Sequence, residues 1–254
     1  MKKILLVIAV LMVTSLGLSA QVKFTVCTYN VKSFEGADNA PKFFDMPPFI
    51  EALKPLNLDI IVLNELEILT SRTGPKDLGA VLGNGLGMYT AFGRAYDKDD
   101  GLYGNGILSR FPILNTFGRQ IVKPADSSDQ RGVLFADILH TSGQIFRIVA
   151  LHLDHRAGRK EQIQDILSDT HITNSPYPII LMGDFNIWYY PFEVPMTNFK
   201  LLSDPHKPTF EGMSTLDYIF AAPANQWTVH SSSVKYDIKH SDHSPVVCEI
   251  EWKK

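Results

Sequence analysis

The sequence predicts a mixed α/β domain in which two layers of β-sheet form the core and helices pack outside them. Three observations predict this class. The chain has 254 residues, of which 45% are hydrophobic and 20% charged, as expected for one large globular domain. Short runs rich in β-branched residues recur along the chain and outnumber the helical patterns. These runs do not alternate one-to-one with helices, which disfavours a doubly wound parallel sheet.

The predicted strands are short apolar runs separated by turn-forming residues. In chain order they are Val22–Tyr29, Asp59–Leu63, Gly106–Ser109, Val133–Leu139, Ile145–Leu151, Pro178–Met182, Tyr218–Ala221 and Val246–Trp252. Residues 133–151 are expected to form a hairpin that turns at residues 141–143. Helical periodicity predicts helices at Phe43–Leu56 and Arg159–Ser168, and a weaker pattern predicts one at Lys76–Leu82.

The N-terminal segment, residues 1–20, is predicted to be a secretory signal peptide. Lys2 and Lys3 supply a basic start, Ile4–Val13 is an unbroken apolar run, and cleavage is expected near Ala20. The apolar run is about half of the roughly 20 residues needed to cross a bilayer. We therefore expect an exported domain of residues 21–254, periplasmic or secreted, with no transmembrane segment in the mature chain.

The charge balance is acidic. The whole chain carries a formal charge of −3, and loss of Lys2 and Lys3 with the signal peptide takes it to −5. An acidic exported domain is not built around indiscriminate nucleic-acid binding, although a local basic patch would still allow a nuclease.

Two cysteines, Cys27 and Cys248, each lie inside a predicted strand. Two buried thiols are therefore expected. Export also permits a disulfide between them, which stays open as the alternative because the sequence does not show the geometry a bridge requires.

Polar side chains stand where several predicted strands end. Each alone is more often a turn former or a cap than a functional group. Together, core strands that end in carboxylates, amides or imidazoles aim these groups at a sheet rim and build a polar pocket on rigid supports. The residues are Asn30, Glu65, His152, Asp184 and Asn186, with Asp242 and His243 just before the last strand. Asp184 and Asn186 are two apart, so extended backbone points both side chains the same way.

This set of side chains favours one kind of chemistry. The carboxylate and amide oxygens are hard ligands suited to Mg²⁺, with Mn²⁺ or Ca²⁺ as alternatives. The sequence contains no zincin motif, no P-loop and no nucleophile-elbow motif. A hard metal with imidazoles and carboxylates points to metal-assisted attack of water on a phosphate ester.

The same residues resemble the endonuclease/exonuclease/phosphatase superfamily, the deoxyribonuclease-like metal-dependent phosphoesterases. The resemblance rests on segments that occur in the family's order along almost the whole of residues 21–254: Thr28–Val31, Leu63–Glu65, Tyr103–Ser109, His152–His155, Gly183–Asn186, Leu216–Phe220 and Ser241–His243. One departure is clear: the family usually has Gln before the metal-binding Glu, and this chain has Asn64. The shorter amide is expected to shift a supporting contact while the metal carboxylate is kept.

The resemblance implies a four-layered α/β sandwich, with two packed and mostly antiparallel sheets flanked by helices. It also implies a metal site. Glu65 would be the main Mg²⁺ ligand, and Asn30 and Asp242 would complete or support the site.

The resemblance further implies catalytic roles. Asp184, helped by Asn186, would orient and deprotonate the attacking water. His243 would contact the scissile phosphate and be held in its tautomer by Asp217. His152 would bind another phosphate oxygen and is a candidate to protonate the leaving group, and Asn105 would support the phosphate pocket.

Three other side chains are candidates for substrate binding. Trp188 begins the aromatic stretch Trp188–Phe192, which is either a stacking wall beside the pocket or a loop packed on a helix. Arg156 is either part of a basic patch facing phosphate or an ordinary charged residue at a helix start. Arg131 lies in the turn at residues 129–132.

The function expected is an exported Mg²⁺-dependent hydrolase of a phosphate-ester substrate, most like a phosphodiesterase or endonuclease. A phosphatase or phosphodiesterase acting on a small molecule, an inositol phosphate or a lipid headgroup is nearly as well supported. A catalytically inactive binding module on the same fold is the alternative from another class. Nothing in the sequence indicates an obligate protein partner.

Overall fold

A computed structural model describes residues 21–36 and 46–254. The predicted signal peptide, residues 1–20, lies outside the described residues. The described chain forms two sheets of six strands each. Within it, no helix is long and apolar enough to cross a membrane.

The first sheet has the strand order β11-β12-β1-β2-β4-β3. Its strands are β1 Val22–Asn30, β2 Ile60–Ile68, β3 Tyr89–Lys98, β4 Gly101–Ser109, β11 Trp227–Val234 and β12 Val246–Trp252. Neighbouring strands run antiparallel except β1 and β2, which are parallel.

The second sheet has the order β5-β6-β7-β8-β10-β9. Its strands are β5 Ile113–Gln120, β6 Gly132–Leu139, β7 Ile145–His152, β8 Ile179–Asp184, β9 Lys200–Leu201 and β10 Asp217–Ala222. Here β7 and β8 are the parallel pair. The predicted hairpin is confirmed: β6 and β7 pair antiparallel, and Gly143 turns the chain with a φ of 82°.

The helices lie on the outer faces. On the first sheet these are α1 Pro47–Leu53, continued by one 3₁₀ turn at Lys54–Leu56, and α2 Leu78–Leu86. On the second sheet they are α3 Arg159–Leu167 and the short α4 Thr170–Thr173. Residues 43–45 of the helix predicted at Phe43–Leu56 lie outside the described residues.

Alternation along the strands builds the layers. One side of each sheet faces the other sheet and forms a shared core of residues such as Val26, Val62, Ile107, Ile148, Met182 and Ile219. The other side packs on helices: Phe49 and Leu82 cover the first sheet, and Ile163 and Ile166 cover the second. Full burial of such a side chain is worth about 1.5–3 kcal/mol. The four-layered α/β sandwich is confirmed.

The two cysteines are free and buried. In the β1–β12 ladder, Cys27 lies opposite Val247, and Cys248 lies opposite Val26. Successive side chains of a strand point to opposite faces, so the thiols lie on opposite sides of the sheet. Cys248 joins the core between the sheets and Cys27 joins the core under α1 and α2. The expectation of two buried thiols is confirmed.

The second predicted strand, Asp59–Leu63, does not end at Leu63. It runs on to Ile68, because a bulge between Leu63 and Leu66 takes up the polar residues without ending the ladder with β4. Glu65 adopts a φ of 59° there. Such bulges redirect a side chain locally, and this one places Glu65 at the rim from within a continuous strand.

Candidate active site

Strand register brings the polar residues of the second sheet to one edge. Across the parallel pair β7 and β8, His152 lies opposite Asp184. Across the antiparallel pair β8 and β10, Asp217 lies opposite Asp184. Three adjacent strands therefore present an imidazole and two carboxylates side by side at the same level of the sheet.

The first sheet contributes polar side chains from its corresponding edge. Asn30, the last residue of β1, lies opposite Asn64 of β2. The Asn30 amide nitrogen donates to Glu65 Oε1 and to Asp184 Oδ2, each at 3.0 Å. Asn30 thereby joins the carboxylates of the two sheets.

Asp184 is the centre of the cluster. Its Oδ2 atom lies 3.5 Å from His152 Nε2 and 3.7 Å from His243 Nε2, and its Oδ1 atom accepts the backbone N–H of Asn186 at 2.8 Å. Burial raises the pKa of Asp184 to about 7, and the charge of Asp217 adds to the rise. A carboxylate with a pKa near neutrality is well matched to accept a proton from water.

His243 is held as a cation. Its Nδ1 atom lies 2.8 Å from Asp217 Oδ2, and both side chains are buried. Burial alone would lower the pKa of His243, but the charge and hydrogen bond of Asp217 outweigh it, and the pKa rises to about 10. The cation lies 3.7 Å from Asp184, where a negatively charged group would be stabilised.

His152 has the opposite character. Burial, followed by the positive charges of Arg131 and His243, lowers the pKa of His152 well below its ordinary value. It is therefore neutral in the free protein and offers a hydrogen bond rather than a charge. One imidazolium and one neutral imidazole thus flank the same carboxylate.

The residues predicted to bind metal occupy two places. Asn30 and Glu65 are joined to Asp184 as described, while Asp242 Oδ2 forms a 2.9 Å ion pair with Lys32 Nζ. A second set of potential ligands is buried close by: one atom each from Asp184, Asp217 and His243 lies within 4.8 Å of the others. Asp217 Oδ1 is buried and has no hydrogen-bond partner among the described residues. The site therefore contains a buried Asp–Asp–His group that could hold a metal ion.

Asn186 and Asn105 shape the backbone around the site. The Asn186 side chain donates to Leu153 O at 2.9 Å, and its φ of 51° reflects the turn that follows β8. The Asn105 side-chain amide makes two hydrogen bonds. Its oxygen accepts from Asn64 at 2.9 Å, and its nitrogen donates to Gly132 O at 2.8 Å. Both side chains support the strands that carry the catalytic candidates.

The three candidates for substrate binding are placed differently. Arg131 is 5% exposed and contacts His152. Arg156 is exposed just after β7, and its backbone N–H donates a hydrogen bond to Asp154 Oδ1 at 2.8 Å. Trp188 is 64% exposed, and the Arg159 guanidinium lies over its ring at 5.8 Å.

The stretch Trp188–Phe192 is divided between an exposed part and a buried part, and the stacking wall stays a prediction. Trp188, Tyr189 and Tyr190 are exposed, whereas Phe192 packs in the core beneath α3.

Three further residues lie at the site. From the sequence, Asn64 is named only as a departure from the family and His155 only as the end of a family segment, and Lys32 is not singled out. Asn64 ties the two sheets together, Lys32 pairs with Asp242, and His155 contacts Arg131. For Asn64 a signal was present, since a polar residue inside an apolar strand must find a buried partner. Lys32 lies two residues after Asn30, but no local pattern links it to Asp242.

A model of the Endonuclease/Exonuclease/phosphatase family matches residues 27–243. The chain belongs to this family. The matched range runs from the second half of β1 to the loop before β12, and so includes every residue of the site described above. Members of the endonuclease/exonuclease/phosphatase family are phosphoesterase hydrolases.

The chain is also similar to individual proteins. It is 25% identical over 249 residues to the uncharacterized protein YbhP of Escherichia coli K12, covering 91% of this chain and 97% of YbhP. The family protein of Bacteroides vulgatus has the same fold, with a TM-score of 0.74 at 18% identity, over 91% of this chain and all of that one. The catalytic domain of human Nocturnin, solved with a bound sulfate anion, gives a TM-score of 0.71 at 20% identity, over 91% and 94%.

Proposed function

We propose that this endonuclease/exonuclease/phosphatase family protein is an exported, divalent-metal-dependent hydrolase that cleaves a phosphodiester by attack of water. The observation that carries the proposal is the environment of Asp184. This carboxylate has a pKa raised to about 7 and lies between a neutral and a cationic imidazole. A proton acceptor, a hydrogen-bond donor and a positive charge at one place suit phosphate-ester hydrolysis, which depends on positioning the reactants and stabilising charge.

The donor set fits a hard divalent cation. Carboxylate oxygens of Glu65 and Asp184 converge on the Asn30 amide. Oxygen ligands of this kind favour Mg²⁺, with Mn²⁺ or Ca²⁺ as alternatives. In the proposal Glu65 would be the main ligand, Asn30 and Asp242 would complete or support the site, and a bound cation would supply positive charge to neutralise the phosphate.

Side chains of the protein supply the proton acceptor, the positive charge and the hydrogen-bond donor. Asp184 accepts the proton of the attacking water, and Asn186 fixes its carboxylate through the backbone N–H. His243, kept cationic by Asp217, stabilises charge on the phosphate oxygens. Neutral His152 donates a hydrogen bond to another oxygen.

The proposal favours a diester over a monoester because exposed aromatic side chains follow Asn186 in the chain. Trp188 follows Asn186 by two residues, and its exposed ring offers a stacking surface for a group on the far side of the phosphate. Stacking of this kind suits a nucleobase, and equally a ring in a small substrate.

The deciding experiment uses protein purified from expression of the full chain. Hydrolysis of bis(p-nitrophenyl) phosphate and p-nitrophenyl phosphate is measured in Mg²⁺ and in EDTA, alongside nicking of plasmid DNA. We expect Mg²⁺-dependent release from the diester that exceeds release from the monoester, and DNA nicking would identify a nuclease.

Release from the monoester alone would overturn the diester preference. Folded protein that binds Mg²⁺ but cleaves none of the three would be the binding module considered above. Recovery of the protein from periplasm or medium, without residues 1–20, tests export separately.

A further inference from the structure

Lys32 lies in an unusual turn directly after β1. Lys32, Ser33 and Phe34 form one short turn and have φ values of 44°, 52° and 61°. Residues other than glycine rarely adopt this left-handed conformation, and it persists only where the surrounding structure holds it. Two contacts hold it here: Phe34 packs in the core beneath α1, and the Ser33 hydroxyl donates to Glu67 Oε1 at 3.1 Å. The position of Lys32 is therefore fixed from within the protein.

Glu67, which holds this turn, is itself well anchored. Its side chain is buried on β2 and pairs with Arg72 and with Lys98, whose Nζ atom lies 2.8 Å from Glu67 Oε1. The Thr70 hydroxyl donates to Glu67 Oε2 at 2.8 Å. A buried carboxylate with charged partners and hydrogen bonds has little freedom to move. The turn that carries Lys32 thus rests on a rigid support.

Lys32 contacts two of the three residues predicted to bind metal. Its backbone N–H donates to Asn30 Oδ1 at 3.0 Å, which leaves the Asn30 amide nitrogen to face Glu65 and Asp184. Its Nζ atom lies 2.9 Å from Asp242 Oδ2. One residue therefore orients both an amide and a carboxylate of the site.

Asp242 has a partner for each of its carboxylate oxygens. Oδ2 pairs with Lys32, and Oδ1 accepts from the Ser241 hydroxyl at 3.2 Å. The ion pair is largely shielded from solvent, since 26% of the Lys32 side chain and 18% of the Asp242 side chain are exposed. A shielded pair is screened less by salt than a pair on the open surface. Direct binding of a metal ion to Asp242 Oδ2 would have to break this pair.

An ammonium group at this place supplies part of what a metal ion supplies. Two-metal sites use a second divalent ion to stabilise charge on the oxygens of the phosphate group. Lysine brings a compact positive charge on the chain itself and needs no ion from solution. Because like charges repel, an ammonium held by Asp242 also disfavours a divalent ion on the same carboxylate.

We propose that the Lys32 ammonium takes the place of a divalent cation at Asp242, so that Asp242 supports the site through Lys32 and does not itself bind metal. Lys32 is then a positioning residue: its side chain holds Asp242, and its backbone holds the Asn30 amide. This inference rests on the proposed function, because it concerns how the metal site of that function is built. It leaves Glu65 as the carboxylate that binds the metal.

The test counts bound ions and does not depend on turnover. The purified full chain is freed of metal with EDTA, desalted and titrated with Mn²⁺, and loss of the electron paramagnetic resonance signal of free Mn²⁺ gives the number bound per chain. Lys32→Met should bind one ion more than the wild-type chain, because the Asp242 carboxylate loses its cation. Lys32→Arg should keep the wild-type number, because the guanidinium keeps the positive charge.

Two further variants show whether Asp242 binds the additional ion. The double variant Lys32→Met with Asp242→Asn should return to the wild-type number, because the carboxylate that takes the ion is gone. Asp242→Asn alone should also keep the wild-type number, whereas it would lose an ion if Asp242 were a required metal ligand. The matched control is Lys253→Met, which removes a lysine 3.6 Å from Glu251 at the opposite end of β12 and should keep the wild-type number.

Equal numbers of ions in Lys32→Met and wild type would overturn the inference and leave the proposed function standing. A lysine that only contacts substrate, or only supports the fold, gives that result. Loss of an ion in Asp242→Asn would also overturn the inference, and this variant decides the question if Lys32→Met does not fold. A wild-type chain that binds no Mn²⁺ would overturn the metal site of the proposed function together with this inference.

Discussion

The side-chain oxygen of Asn64, on the first sheet, accepts a hydrogen bond at 2.9 Å from the backbone N–H of Asp184, on the second. The Asn64 nitrogen donates to Leu151 O at 2.8 Å and to Asn105 Oδ1 at 2.9 Å. A single buried amide therefore fixes the position of the catalytic candidate Asp184 relative to the opposite sheet. It is also the position at which this chain departs from the glutamine usual in the family.

Asn64→Ala should destabilise the fold by about 1–3 kcal/mol, because it leaves buried polar partners unsatisfied. Asn64→Gln should also destabilise, by about 1–3 kcal/mol, because the extra methylene has no space between the sheets. Urea denaturation gives the free energy of unfolding for each variant. A glutamine variant as stable as wild type would show that the site relaxes around the longer amide.

Asp184→Ala and His243→Ala should each remove nearly all turnover of the diester, by about 10²–10⁴-fold in kcat for loss of a proton acceptor. Thermal unfolding and circular dichroism should show that both variants stay folded. Rates near those of wild type in either variant would exclude the mechanism proposed here.

Removal of metal should abolish turnover and leave the fold intact. Mg²⁺ should raise the stability of the wild-type chain by about 2.7 kcal/mol at a concentration one hundred times its Kd. Glu65→Gln should lose this Mg²⁺-dependent rise, which calorimetry or thermal unfolding measures in parallel titrations. If the glutamine variant responds to Mg²⁺ as wild type does, Glu65 is not the main ligand.

Asp154→Asn should destabilise the loop after β7 by about 3 kcal/mol at pH 7, because an amide nitrogen replaces an oxygen that accepts hydrogen bonds. Burial alone would raise the pKa of Asp154, but hydrogen bonds from Ser128, Arg156 and Asp129 outweigh it and lower the pKa. A depressed folded-state pKa gives stability that is present above the unfolded pKa and is lost as pH falls through the folded value.

The difference in unfolding free energy between wild type and Asp154→Asn should therefore be constant near neutrality. It should shrink below about pH 4, where the carboxylate is protonated in the unfolded chain. Denaturation curves at several pH values measure it. A difference that does not change with pH would mean that the charge of Asp154 is unimportant.

Trp188→Ala should raise KM for substrates that carry a ring beside the scissile phosphate, by about tenfold if base stacking of 1–3 kcal/mol is lost. Stability should change by less than about 0.5 kcal/mol because the side chain is exposed. Tyr89→Ala, an exposed aromatic at the start of β3, is the matched control and should leave KM unchanged. Equal KM values for Trp188→Ala and wild type would remove Trp188 from the substrate site.

The amino-acid sequence predicted the central strands of the two sheets and missed the edge strands. Every strand predicted from an apolar run is present, and the strands without a prediction, β3, β5, β9 and β11, are the edges of the two sheets. An edge strand contacts only one neighbour, so much of it stays exposed: along β5, nearly every residue is at least partly exposed. Mixed polar and apolar residues satisfy such a position, and the apolar run that marks a central strand is absent.

The chemistry of the site was likewise carried by local sequence, because a polar group at the end of a buried strand is visible without knowing its neighbours. Which groups meet was decided by pairing between distant strands. The β8–β10 register sets Asp217 opposite Asp184, and the bulge in β2 turns Glu65 toward Asn30. The partners of Arg131 and Asn64 likewise come from neighbouring strands and from the opposite sheet. Both histidines are buried, and their neighbours decide their charge. Burial and the charge of Arg131 lower the pKa of His152, whereas Asp217 outweighs burial and raises the pKa of His243.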